Sequence, residues 1–249
     1  MLDHWMGRPV EASGVPATTV PGMPARPIAL VTGASRGIGA AVARDLSDTH
    51  DLLLGGRDAA ALETLTDELP GARPWTVELT DHEAVAAAVA DIDRLDVLVH
   101  SAGLVELAPL ADAPSDSWRR TFELNLFAVT ELTRLLLPAL RAAEGHVVLV
   151  NSGAGLSARP NWGSYAASKF ALRAFADVLR AEEAANGVRV TSVFPGRTAT
   201  DMQREVRASE GGEYQPENYL RPESVSAPIV SAVRASRDAH LTEIVIRPS

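Results

Sequence analysis

Two residues of this chain carry the types and spacing most suited to proton chemistry. They are Tyr165 and Lys169, in Tyr165-Ala166-Ala167-Ser168-Lys169. Lys169 is the only lysine, because 22 of the 23 basic residues are arginine. On a helix, residues i and i+4 share a face, so a phenol and a primary ammonium project together. Arginine supplies charge, but not a compact point charge with three rotatable donors. A free tyrosine, with a pKa near 10, is a poor base at neutral pH, and bringing it to about 7 takes ~4 kcal/mol of phenolate stabilisation. A nearby ammonium in a water-poor site is one source of that stabilisation.

A second constellation lies upstream, in Thr32-Gly33-Ala34-Ser35-Arg36-Gly37-Ile38-Gly39. It follows an apolar run and opens an amphipathic one. Glycines there permit a tight turn and a close backbone approach, and the helix that follows presents free N–H groups and a positive dipole end. That combination suits a pyrophosphate. The spacing is glycine, three residues, glycine, one residue, glycine, which differs from the G-x-G-x-x-G fingerprint.

The elements that must position these groups are legible as alternating short apolar and longer amphipathic runs. Strands are expected at 28–31, 52–54, 75–77, 97–99, 147–150, 188–194 and 243–246. Helices are expected at 40–46, 58–69, from 81, at 115–140 and at 163–186. Strands that are apolar throughout and alternate with helices point to a sheet covered on both faces. The fold expected is α/β, Rossmann-type and doubly wound, with a seven-stranded, mostly parallel sheet. Residues 28–249 read as one dinucleotide-binding and catalytic domain. Residues 1–27, punctuated by five prolines and three glycines, read as a disordered tail without the apolar core of a signal peptide.

Composition narrows the function classes. At 249 residues and 46% hydrophobic, the chain supports one substantial core. A net charge of −9 gives no support for a nucleic-acid partner. The absence of cysteine removes disulfides, thiolate metal sites and a thiol nucleophile, and fits a reducing compartment. No apolar run approaches the roughly 18 residues of a spanning helix. A cytoplasmic protein without a metal site or membrane partner is expected.

In order and separation, the glycine turn and the Tyr165–Lys169 pair resemble the TGxxxGxG and YxxxK motifs of compact short-chain dehydrogenases/reductases. The resemblance covers residue 28 to the end. It implies a hydride transfer between a nicotinamide cofactor and a carbonyl or secondary alcohol of a small molecule. It also implies a catalytic set of Asn125, Ser152, Tyr165 and Lys169. Ser152, thirteen residues before Tyr165 and just past the fifth strand, matches the serine that holds the substrate oxygen. Asn125, a polar amide between Leu124 and Leu126 in the middle of a helix, marks a local kink or a bound water. It matches the asparagine that anchors a relay water to Lys169.

The same resemblance assigns cofactor contacts. They are Gly33, Ser35, Arg36, Gly37, Ile38 and Gly39 in the first turn, then Glu78 and Leu79 after the third strand. Ser101, Ala102 and Gly103 follow the fourth strand, with His100 before them read as a structural hydrogen-bonder. Pro195, Gly196 and Thr198 or Thr200 follow the sixth, the threonines having helix capping as an alternative. Tyr165 and Lys169 complete the set, Lys169 through the nicotinamide ribose. Glu78 replaces the family's usual aspartate, and His100-Ser101-Ala102-Gly103 stands where NNAG is usual.

The second strand ends Leu54-Gly55-Gly56-Arg57, with no carboxylate to bind a ribose 2′-hydroxyl. Arg57 and Arg36 are suited to a 2′-phosphate, so NADP(H) is expected over NAD(H), although Asp58 stands beside Arg57. Residues 200–221 are expected to form a polar substrate lid, with Leu104, Arg159 and Trp162 lining the pocket. A homodimer or homotetramer through the long helices is implied. The competing reading is a dinucleotide-sensing regulatory protein on the same fold, which has no need to keep all four catalytic residues.

Overall fold

A computed structural model describes residues 26–249. It is built on seven strands: β1 (Ile28–Thr32), β2 (Asp51–Gly56), β3 (Ala72–Thr76), β4 (Val97–His100), β5 (His146–Val150), β6 (Arg189–Pro195) and β7 (Glu243–Ile246). They pair in the order β3-β2-β1-β4-β5-β6-β7, and all six pairings are parallel. The chain first builds outward from β1 to β3, then returns to lay β4 on the other side of β1. That reversal opens a crevice at the carboxyl ends of the strands, the usual ligand position in such sheets.

The strands β1 to β6 feed two cores, because successive side chains point to opposite faces, whereas β7 adds Ile244 and Ile246 to one of them. Ala29, Val31, Leu52 and Leu54 pack on one side with α1 (Gly37–Leu46), α2 (Ala59–Glu68) and, through Val225, Ile229 and Val233, α8 (Pro222–Arg234). Leu30, Leu53, Leu98, Val147 and Leu149 point the other way. They meet α3 (His82–Val89), α5 (Ala128–Ala143) and α6 (Gly163–Glu183). The doubly wound expectation therefore holds, with a sheet that is entirely parallel.

Some boundaries differ from the sequence reading. The tail expectation for residues 1–25 lies outside the described residues. Arg26 and Pro27 already belong to the fold: Arg26 donates to the carbonyls of Ser47 and His50, and Pro27 accepts from the Asp51 amide. β3 begins three residues earlier than its apolar residues suggest and carries Pro74. It is an edge strand, where a missing N–H costs least.

The expected helix over 115–140 is broken. α4 (Ser115–Phe122) ends, five residues from Glu123 to Phe127 form a π-helical turn, and α5 continues. Asn125 lies in this wide turn, an irregularity at the position where a local kink or a bound water was expected. The segment expected as a lid is helical in part: α7 (Asp201–Ser209) is capped by the Thr200 hydroxyl, which accepts from the Gln203 amide. Arg197 and Arg207 both bond Glu210 and tie the helix end down.

Candidate active site

The first turn builds one end of the cleft. Gly33 has φ +65°, and a Cβ there would stand 2.8 Å from the Ala102 backbone. A Cβ on Gly39 would stand 2.2 Å from the Gly33 carbonyl oxygen. Only glycine lets α1 and the end of β4 approach the turn this closely. α1 starts at an extended Arg36 with no side-chain cap, so its first N–H groups face the cleft without a side-chain acceptor. Thr32 ties β1 to the loop after β4, its hydroxyl accepting from the Ser101 and Ala102 amides at 3.1 and 3.2 Å.

The cleft encloses about 680 Å³. Gly33, Ser35, Arg36, Gly37, Ile38, Arg57, Glu78 and Leu79 line one end of it. Ser101, Ala102, Gly103, Ser152, Tyr165, Lys169, Pro195, Gly196, Thr198 and Thr200 line the rest. Of the expected residues, Gly39 and Asn125 stand behind the wall. Arg159 and Trp162 line the cleft as expected, but Leu104 does not. Its backbone is turned inward and clamped by Asn125, which accepts from the Leu104 amide and donates to the Leu104 carbonyl, both at 2.9 Å.

Asn125 is 1% exposed and also donates to the Ser168 hydroxyl at 3.1 Å. Its Oδ1 also lies close to Gly103, where a Cβ would meet both that oxygen at 3.1 Å and the Lys169 Nζ at 3.9 Å. One small residue thus separates the amide oxygen from the ammonium. Lys169 itself is buried and donates to the Val150 carbonyl at 3.0 Å. Burial holds its pKa down, to about 8. His100 is 3% exposed and bonds the Thr133 hydroxyl at 2.9 Å, the structural role expected for it. Burial, helped by the Lys169 charge, lowers it to about 3, so it is neutral.

Tyr165 is 7% exposed, with Trp162 edge-on at 5.7 Å between ring centroids. The Lys169 Nζ lies 5.8 Å from its ring centroid. Burial raises the Tyr165 pKa, opposed by a hydrogen bond with the Ser152 hydroxyl. The protein's own groups therefore keep Tyr165 a phenol at neutral pH.

Two positioning residues escaped the sequence reading. Asn151 is 3% exposed; its Oδ1 accepts from the Ser152 amide at 2.8 Å, and its Nδ2 donates to the Lys169 carbonyl at 3.1 Å. It fastens the serine loop to the Tyr165–Lys169 helix. Arg247, two residues from the end, also lines the cleft.

A family model described as short chain dehydrogenase matches residues 27–211. The chain belongs to the short-chain dehydrogenase family. It is 33% identical to a short-chain type dehydrogenase/reductase of Sinorhizobium fredii, over 89% of this chain and 91% of that one. It is 35% identical to the glycine betaine reductase of Emericella nidulans over 98% of its own length, spanning a fifth of that protein. A Burkholderia cenocepacia short chain dehydrogenase, solved in complex with NADP, superposes with a TM-score of 0.74 at 30% identity, covering 89% and 88% of the two chains. As a short-chain dehydrogenase, the protein is an oxidoreductase that acts with a nicotinamide dinucleotide. No described helix is long and apolar enough to cross a membrane.

Proposed function

We propose that this short-chain dehydrogenase is an NADP(H)-preferring reductase of small carbonyl compounds, reversible toward secondary alcohols. The convergence of Ser152, Tyr165 and Lys169 on one cleft whose other end is a phosphate cradle carries the reading. A dinucleotide fits that cradle, because the uncapped start of α1 and the backbone exposed at Gly33 offer donors without competing side chains. The nicotinamide, when bound, supplies or accepts the hydride. The Ser152 hydroxyl holds the substrate oxygen beside Tyr165. Tyr165 gives its proton to that oxygen as negative charge builds on it, and its raised pKa keeps the proton in place beforehand. The buried Lys169 ammonium stabilises the phenolate left behind. The Asn125 oxygen beyond Gly103 orients a water for return of the proton through Lys169.

Arg36 and Arg57 favour NADP(H) as the partner. Each is held at the cleft by one exposed carboxylate, Asp201 at 3.3 Å and Glu78 at 3.4 Å. Exposed pairs of this kind are weak, so a phosphate dianion displaces them at small cost. NAD(H) is the slower alternative. Assembly as a homodimer or homotetramer is supported by exposed Phe170 and Val178, eight residues apart on one stripe of α6, beside exposed Phe127; light scattering of the purified protein reports it.

The test is NADPH oxidation across ketones, aldehydes and quinones. NADPH should surpass NADH in kcat/KM, and Tyr165→Phe should lower kcat by about 100- to 10,000-fold without weakening NADPH binding. A Tyr165→Phe enzyme of near-normal rate refutes the mechanism.

A further inference from the structure

Five arginines line the cleft: Arg36, Arg57, Arg159, Arg197 and Arg247. Three have a carboxylate of their own, in Asp201, Glu78 and Glu210. Among the described residues Arg159 and Arg247 have none, in a protein whose net charge is −9. Both sit at the catalytic end. Arg247 packs on Gly153, the residue after Ser152; a Cβ there would meet its Nη1 and Nη2 at 3.5 Å. Arg159 starts the turn whose carbonyl accepts from the Trp162 amide, and Trp162 lies against Tyr165. The exposed Arg247 guanidinium is tethered through one nitrogen. Its Nη1 donates to the Phe194 and Ile246 carbonyls at 2.8 and 3.0 Å, leaving Nε and Nη2 as a donor edge without a partner among the described residues.

A third donor lines the cleft. Gln203 is 6% exposed, lines the same cleft, and its Nε2 is buried without a hydrogen-bond partner. A buried amide left unpaired is costly unless an acceptor completes it.

We infer that the substrate is an oxo acid of low mass, its carboxylate gripped by the Nε/Nη2 edge of Arg247 with Arg159 completing the site. The inference rests on the reductase reading and refines it. A guanidinium edge matches a carboxylate in two parallel charge-assisted hydrogen bonds. The Arg247 contact with Gly153, the residue after Ser152, sets the acid group beside the serine loop.

Matched pairs test it: 3-oxobutanoate, 2-oxobutanoate and 4-formylbenzoate, each against its methyl ester, with NADPH. The acid of at least one pair should exceed its ester by about 10- to 100-fold in kcat/KM, the worth of a charged hydrogen-bond pair. Arg247→Gln should collapse that preference, chiefly through KM, and Arg247→Lys should recover part of it. Calorimetric titration of the NADP+-loaded protein with 3-hydroxybutanoate reads binding without turnover, and Arg247→Gln should weaken it about tenfold or more. Esters reduced as well as acids, or an Arg247→Gln protein that keeps the acid preference, overturn this inference alone. No NADPH oxidation across every pair and the wider carbonyl panel overturns the reductase reading and the inference together.

Discussion

Replacing Lys169 by methionine should stabilise the protein while it removes activity. The side chain is 4% exposed and, among the described residues, its one hydrogen bond is to the Val150 carbonyl. Burial moves its pKa from 10.5 to about 8. That drop corresponds to a penalty of about 3 kcal/mol for holding the ammonium charged in the fold. Methionine fills a similar volume without the charge, but leaves the Val150 carbonyl unpaired at a cost of about 1 kcal/mol. The net gain at pH 7 is about 2 kcal/mol, or about 4 to 8 °C in Tm for a domain of this size.

The pH dependence separates this cause from better packing. The folded pKa lies below the unfolded one, so the folded state binds fewer protons between about 8 and 10.5. Wild-type stability therefore rises with pH across that window. The advantage of Lys169→Met should be full below pH 8 and fade as pH approaches 10.5. Urea unfolding of both proteins at pH 7, 9 and 10.5 measures it. A variant less stable than wild type at pH 7, or a gain that persists unchanged to pH 10.5, refutes the reasoning.

Two other outcomes follow from buried groups. His100 and His146 are held to about 3 by burial, against 6.5 when unfolded, so stability is present above pH 6.5 and drains away as pH falls toward 3. Calorimetry should show Tm lower by on the order of 10 °C at pH 4.5 than at pH 7, with a shallower decline in His146→Asn. Asn151→Ala leaves the Ser152 amide and the Lys169 carbonyl without their partner. It should cost about 2 to 4 kcal/mol in urea unfolding and lower kcat more than it changes NADPH affinity.

The parts of this molecule that the chain spells locally were readable before any coordinates. The glycine turn, the i,i+4 pair and the apolar strands each depend on neighbours in sequence. The polar Asn125 even betrayed the break in the helix. What escaped detection depends on distant parts of the chain meeting. Asn151 is an ordinary asparagine until β5 lies beside α6. Arg247 reaches the cleft because β7 pairs with β6 and carries the chain end back to Gly153. The rise in the Tyr165 pKa comes from desolvation, and desolvation is a property of the whole surrounding shell. Leu104 looked like an apolar wall residue, yet its value lies in a backbone amide and carbonyl that hold Asn125.

The wide turn from Glu123 to Phe127 carries a further consequence. It amounts to one surplus residue in an otherwise regular helix. Each residue of an α-helix advances about 1.5 Å and rotates about 100°. Excising that residue would therefore turn all of α5 by about 100°, swinging Leu132, Leu136 and Leu140 off the sheet they cover. The surplus is a phase offset, and sixteen downstream residues are written in phase with it. No series of single substitutions can remove it gradually. Asn125 can be exchanged for another side chain, but the geometry that presents it is locked to the hydrophobic core.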